Sequence, residues 1–303
     1  MNWIALILLI CLIIFGVGFL IADLFRTNSE LKAGAAQKGK TRIKIIGGCG
    51  KDGRREPVVE VDFEMGTIVS IVGPTGSGKT ALINDIELYA NGNTPTKRKV
   101  LINGVSPSDE FSGDPSHNPI ALITQHTNFL SDLPVEKFLS MHAKIRQGDA
   151  GEPIVQDTLN FANQLTGESI NPRVKMTELS GGQTRALLIA DAVVIGNSSI
   201  LLLDEIENAG INRTKALDML KNYEKIFIFV THDPRIALLS DFRIVMKNGA
   251  MREIIKTDEQ EREVFEEIRK IDDLILDFRQ KIREGERIAK YELDERIDAL
   301  KVG

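Results

Sequence analysis

The chain has 303 residues, 43% apolar and only 6% aromatic, with 38 Lys plus Arg against 43 Asp plus Glu. These proportions exclude a disordered or collagen-like chain and fit one globular domain with additions, or two small domains. A net charge of -5 supplies no basic excess for holding a phosphate backbone, so nucleic acid is not an expected partner. Cys11 and Cys49 lie far apart and form neither a disulfide framework nor a metal-ligand spacing.

From Trp3 to Ala22 no charged residue occurs. A helical run of about 20 residues spans about 30 Å, the thickness of a bilayer's hydrocarbon core. No basic segment precedes it and no small-x-small pattern follows Phe19, so residues 1–22 read as a retained transmembrane anchor rather than a cleaved signal. Arg26, Lys32, Lys38, Lys40, Arg42 and Lys44 follow, and this positive bias places the rest of the chain on the cytoplasmic side of the cell membrane. Residues 23–40 lack a sustained apolar period and read as a linker. No second uncharged run is long enough to span, so one helix per chain cannot enclose a solute path.

Ile68–Val72 is a short β-branched run that predicts a strand, and Ala81–Tyr89 predicts a helix. Between them stands Gly73-Pro74-Thr75-Gly76-Ser77-Gly78-Lys79-Thr80, the GxxxxGK[ST] pattern in the strand–loop–helix context that makes it a P-loop. Gly76 and Gly78 let successive backbone N–H groups curl around phosphate oxygens at a helix N-terminus. Lys79 is expected to reach the β and γ phosphates, and the Thr80 hydroxyl to ligate Mg²⁺.

Ile200-Leu201-Leu202-Leu203 predicts a buried parallel strand ending in Asp204-Glu205. The carboxyl end of such a strand lies beside the phosphate site in a doubly wound sheet. Asp204 is thus a candidate for the Mg²⁺ shell, and Glu205 for polarising a water against the γ phosphate.

Leu179-Ser180-Gly181-Gly182-Gln183 stands just before the apolar stretch Ala186–Ile195. With this pentapeptide the sequence resembles the ATP-binding cassette (ABC) ATPase family. The motif order agrees: the P-loop, Gln125 after Ala121–Thr124, the pentapeptide, the Asp-Glu strand, then Ile226–Val230 leading into Thr231-His232-Asp233. The resemblance implies an α/β fold, a P-loop NTPase of ABC type with a RecA-like parallel-sheet core, an antiparallel β subdomain and a helical subdomain near 129–177, all within 41–255. Lys99–Gly104 is similar to the family's early hairpin and Arg243–Gly249 to its late one.

The resemblance also implies roles. Gln125 would contact Mg²⁺ or the attacking water. Ser180 and Gly182 would meet the γ phosphate held by a facing protomer, with Gly181 and Gln183 in the same nucleotide-binding stretch, so that ATP is sandwiched between two chains, as a homodimer or a heterodimer. His232 would contact the γ phosphate and support Glu205. Four features depart from the family pattern. The stretch Gly47–Gly53 contains no aromatic residue to stack on adenine, Ile206 replaces the usual Pro, Glu207–Asn212 replaces the usual D-loop, and Asp191 stands where many members carry Arg.

Beyond Lys256 the chain is densely charged, and Val264, Ile268, Ile271, Ile275, Phe278 and Ile282 alternate spacings of four and three residues as a heptad seam does. Glu266 with Lys270 and Asp277 with Lys281 are expected i,i+4 pairs, and Gly285 is expected to end the helix. This 256–303 extension reads either as a helix packed on its own domain or as a dimer strap or partner arm. The implied function is a membrane-anchored ATP hydrolase that binds MgATP at a dimer interface and drives a separate multi-span membrane protein, as the ATP-binding subunit of an ABC transporter. The alternative is a non-transport ABC ATPase that remodels or activates a membrane-associated complex.

Overall fold

The computed structural model describes residues 41–107, 118–124, 126–148, 152–166, 168–205 and 219–302. The anchor 1–22, the linker 23–40, Gln125 and the Ile206–Asn212 segment lie outside the described residues. Among the described residues, no helix is long and apolar enough to cross a membrane. The chain divides into two units, 1–41 and 42–303, and the fold below is that of the second.

The chain order begins with β1 (Arg42–Ile46), β2 (Glu60–Glu64), β3 (Ile68–Val72), α1 (Lys79–Glu87), β4 (Lys99–Ile102) and β5 (Ile120–Ile123). It continues with α2 (Val135–Gln147), α3 (Glu152–Leu165), a 3₁₀ turn at Met176–Glu178, α4 (Gly181–Val194), β6 (Ile200–Asp204) and β7 (Ile226–Val230). The last elements are α5 (Pro234–Leu239), β8 (Phe242–Lys247), β9 (Ala250–Lys256), α6 (Glu259–Arg283) and α7 (Lys290–Val302).

Two sheets result. A six-stranded sheet runs β5-β6-β7-β3-β8-β9, parallel except for the antiparallel edge strand β9. Its inner strands are apolar at nearly every position because both faces are covered, and β7, Ile-Phe-Ile-Phe-Val, is buried throughout. Alternate residues feed two cores. Leu201, Leu203, Phe227 and Phe229 pack towards α2, α3 and α4, whereas Ile200, Leu202, Ile228 and Val69 pack towards α1 and the second sheet. That second sheet is antiparallel, ordered β2-β1-β4, and β1 buries only alternate residues.

The turn from β8 to β9 is Asn248-Gly249, with φ of 52° and 82°, the left-handed pair that a two-residue hairpin demands. This is the late hairpin expected from the sequence. The early one is present too: Ile102 and Val105 exchange backbone hydrogen bonds across Asn103-Gly104, whose φ of 53° and 83° repeat that turn, and the strand before it pairs as β4 with β1 across the sheet. Strand register at that distance is set by β1's buried face, which no local pattern around Lys99 encodes.

The extension forms the expected helix, and Gly285 follows its end in a left-handed conformation. Its ion pairs are not the expected ones. Glu266 meets Arg269 and Glu267 meets Lys270, both at i,i+3, while Lys281 and Asp277 are taken by Glu292 and Arg296 of α7. The chain turns back after Gly285, and α7 supplies partners that a single-helix reading lacks.

Lys225, at the foot of β7, is only 6% exposed and donates to Asn197 Oδ1 at 3.2 Å and to the Ser198 carbonyl at 2.8 Å. Burial lowers its ammonium from the usual 10.5 to about 8. Between those two values the unfolded chain still holds a proton that the folded chain has shed, so this group makes stability rise with pH across that window. Urea unfolding at pH 7.5 and 9.5 should show a gain on the order of 2 kcal/mol in the wild type relative to Lys225→Met.

Candidate functional site

The sheet register brings three loops to one edge. Asp204 of β6 pairs with Val230 of β7, and Val230 pairs with Ile71 of β3, so the carboxyl ends of three neighbouring strands lie in a row. Asp204-Glu205 leaves the first, Thr231-His232 the second and the P-loop the third. Backbone bonds continue the row, from Glu205 N to the Val230 carbonyl at 3.0 Å and from Thr231 N to the Ile71 carbonyl at 3.3 Å. In parallel sheets this edge is where ligands bind.

The P-loop is tightly seated. Gly73 has φ of 149° and a Cβ there would lie 2.4 Å from the Met246 carbonyl; Gly78, at φ 101°, would place one 2.7 Å from Gly249 Cα. Only glycine permits this approach of the β8–β9 turn to the loop. Gly249 N donates to the Ser77 carbonyl at 2.7 Å. Lys79 is 8% exposed, and its Nζ donates to the carbonyls of Gly73 at 2.8 Å and Pro74 at 3.3 Å, so the ammonium is folded over the loop rather than out into solvent. Helix α1 starts with no side-chain cap, and Ser77 Oγ is buried without a hydrogen-bond partner among the described residues. An uncapped N-terminus, a cation and an orphaned hydroxyl converging on one loop suit a polyphosphate. Pro74, Thr75, Gly76 and Thr80 are exposed on the same loop.

Glu205 is half-buried and has φ of 49°, a left-handed conformation that costs a non-glycine residue of order 1–3 kcal/mol. His232 is exposed, while its neighbours are fixed: Thr231 Oγ1 accepts from Asp233 N at 2.9 Å, and Asp233 caps α5 and pairs with Arg235. Arg235 also pairs with Asp272 of α6, so the loop carrying His232 is tied to the extension through charges that are almost wholly buried.

The Leu179–Gln183 pentapeptide opens α4. Ser180 Oγ accepts from Gln183 N at 3.3 Å, and Gln183 Oε1 accepts from Ser180 N at 3.0 Å, a reciprocal cap that leaves Ser180 and Gly181 at the exposed tip. Gly182 follows inside the first turn. This tip belongs to a different loop from the strand-end row. On the same helix Asp191 Oδ1 lies 2.7 Å from His142 Nδ1 of α2, which gives Asp191 a partner that sequence reading had not supplied.

Sequence reading also missed Lys51. Its backbone N donates to the Asn248 carbonyl at 2.8 Å, and its Nζ donates to the Gly76 carbonyl at 2.8 Å, placing a cation from the β1–β2 loop directly on the P-loop. Beneath it lies a buried triad in which Arg98, with no exposed surface, pairs with Glu56 at 2.5 Å and Asp85 at 2.9 Å and donates to the Gly249 carbonyl at 2.7 Å. Neither feature has a periodicity or motif that announces it.

A parallel sheet whose P-loop, Asp-Glu end and histidine end line one edge defines a P-loop nucleotide-binding protein. Comparison with known proteins gives the family. The family described as "ABC transporter" matches residues 58–208. An uncharacterized ABC transporter ATP-binding protein of Methanocaldococcus jannaschii is 50% identical over 251 residues, which cover 83% of this chain and 96% of that protein. The spermidine/putrescine import ATP-binding protein PotA of Bacillus cereus is 33% identical over 207 residues, and the match covers 65% of this chain and 60% of PotA. An ATP-binding cassette solved as a dimer in a post-hydrolysis state with ADP and Pi has the same fold, with TM-score 0.53, 22% identity, and coverage of 71% of this chain and 99% of that one. A further match in fold is cbiO1 from Clostridium perfringens, part of the ABC transporter complex cbiONQ, with TM-score 0.55, 21% identity, and coverage of 75% and 93%. The chain belongs to the ABC transporter ATP-binding protein family and is an ATP hydrolase.

Proposed function

We propose that the chain is the ATP-hydrolysing subunit of a membrane transporter, anchored by residues 1–22 with its ATPase domain on the cytoplasmic side, and that it works on a separate multi-span membrane protein. The observation that carries the catalytic half is the row Asp204–Val230–Ile71, which sets the P-loop, the acid pair and His232 at one sheet edge. In this reading the Gly73–Thr80 loop and the α1 N-terminus hold the phosphates, and Lys79 turns from its carbonyl partners to the γ phosphate. Glu205 takes the proton of the attacking water, and His232 positions that water and the γ phosphate. The Thr80 hydroxyl, the Asp204 carboxylate and Gln125 are hard oxygen donors that suit Mg²⁺, which when bound neutralises phosphate charge. Ser180, Gly181, Gly182 and Gln183 complete the site of a facing chain, so the pair closes on an intact triphosphate and parts after hydrolysis.

The surface for the membrane partner is the outer face of α2. Met141 is 50% and Ile145 71% exposed; Phe138 joins them on the same helical stripe and stacks edge-on against Phe129, whose neighbour Leu130 is 99% exposed. An apolar cluster of this kind on a family that works with membrane components marks a docking face.

The test is capture from membranes in mild detergent with the full chain. Wild type should retain a multi-span membrane protein. Met141→Glu with Ile145→Glu should release it while leaving ATP hydrolysis of the purified chain within about twofold, since surface changes of this kind rarely exceed 0.5 kcal/mol in stability. Retention by the double variant would refute the docking face. Recovery of soluble enzymes alone from wild type would favour the non-transport alternative.

A further inference from the structure

Helix α6 is 25 residues long and none of its residues is fully buried. It is held to the body through Asp272 on Arg235 and Glu261 on Arg243, and to α7 through Lys281 on Glu292 and Asp277 on Arg296. Between these two flanks an aliphatic stripe faces outward, with Val264 and Ile271 each 50% exposed, Ile275 42% and Ile282 64%. At 100° per residue the four fall within about 40° of one another, so they form one seam rather than scattered surface residues.

The seam reads the same in both directions. Val264 and Ile282 are equidistant from position 273, as are Ile271 and Ile275, and as are the partly exposed Ile268 and Phe278 between them. Two such helices laid antiparallel about that midpoint therefore close every layer, with Val264 against the partner's Ile282 and Ile271 against the partner's Ile275. That is the self-complementarity an isologous twofold interface requires. Charge selects the same direction. The first turns carry Glu259, Glu261, Glu263, Glu266 and Glu267 against Arg262, and the last carry Arg279, Lys281 and Arg283 against Glu284. An antiparallel pair sets acidic turns beside basic ones, whereas a parallel pair sets like beside like.

We propose that α6 pairs antiparallel with α6 of a second copy of this chain, and that it does so without nucleotide. The two copies then stay associated through the extension whether or not ATP holds their catalytic faces together. Asp272 ties α6 through Arg235 to the loop of His232, so this contact sits one ion-pair relay away from the candidate site.

Disulfide trapping tests the pairing in the full chain in detergent, nucleotide-free, with Cys11 and Cys49 replaced by Ser. Val264→Cys combined with Ile282→Cys should give a covalent dimer under mild oxidation. The two positions lie about 27 Å apart along one helix, so the bond cannot form within a chain. Val264→Cys alone should stay monomeric on denaturing gels. A covalent dimer from that single variant means parallel pairing and overturns the proposal, as does the absence of dimer from the double variant. Separately, Ile271→Glu with Ile275→Glu should weaken nucleotide-free self-association by at least about tenfold, as loss of buried central anchors does; unchanged association overturns it. Because neither readout uses nucleotide, failure of the ATP-sandwich reading leaves this one standing. Failure of a Glu205→Gln chain to hold ATP against exchange with free nucleotide would be the mark of that other failure.

Discussion

Glu205→Gln should lower ATP hydrolysis by about 10²- to 10⁴-fold, the range that a positioned general base supplies, while ATP binding is retained. Glutamine keeps the length and shape of the side chain and one acceptor oxygen, so water still has a partner at the same place. It has no site with the basicity to take the proton. The two catalytic faces should then stay closed on ATP, visible as bound ATP that resists exchange with excess free nucleotide, with phosphate release near background. Lys79→Ala is the contrasting control, because it removes the cation folded over the loop and should abolish binding and hydrolysis together.

The backbone at Glu205 adds a second arm. Its φ of 49° is strained for glutamate and relaxed for glycine. Glu205→Gly should be as inactive as Glu205→Gln yet at least as stable towards urea. A strained residue retained at the cost of stability is the signature of a site selected for chemistry. Equal hydrolysis by wild type and Glu205→Gln would remove Glu205 from the base role altogether.

The parts of this site that were legible in the sequence are those whose chemistry dictates local pattern. A phosphate cradle needs glycines where φ is positive, and Gly73, Gly76 and Gly78 all have positive φ. A strand buried on both faces needs an unbroken aliphatic run, and Ile200–Leu203 supplies one beside Ile226–Val230. The Ser-x-x-Gln spacing at Ser180 is a local capping pattern as well, although sequence reading took the pentapeptide only as a family signature. What escaped is set by distance. Arg98 meets Glu56 from 42 residues away and Asp85 from 13, and none of the three lies in a motif. The partner of β4 is fixed by which edge of β1 is free, and the partners of Lys281 and Asp277 by the reversal after Gly285, two facts that arise only once the chain has folded.

Arg98→Met should destabilise the fold by about 3–5 kcal/mol, because it leaves Glu56 and Asp85 buried without their cation. Burial alone pulls the Arg98 guanidinium down, but hydrogen bonds and charge from Glu56 and then Asp85 outweigh it, so the net displacement is upward and the group stays charged. The same guanidinium holds the Gly249 carbonyl, and Gly249 N holds Ser77 of the P-loop. Glu56 in turn accepts from the backbone N of Gly48 at 2.8 Å and of Met251 at 2.6 Å, which closes the Lys51 loop on itself and ties it to β9. Loss of Arg98 should therefore loosen the nucleotide loop before the domain unfolds. Thermal melts should show a fall of about 10 °C, and ATP affinity should drop more than that of a core variant with an equal fall in stability, such as Leu187→Ala. Replacing all three charges, Arg98→Met with Glu56→Gln and Asp85→Asn, should recover much of the melting temperature, since no buried charge is then left unpaired. ATP affinity should recover less, because the link from Arg98 to Gly249 is still missing. Full recovery of both would mean that the triad braces the β1–β2 loop and α1 but does not shape the phosphate site.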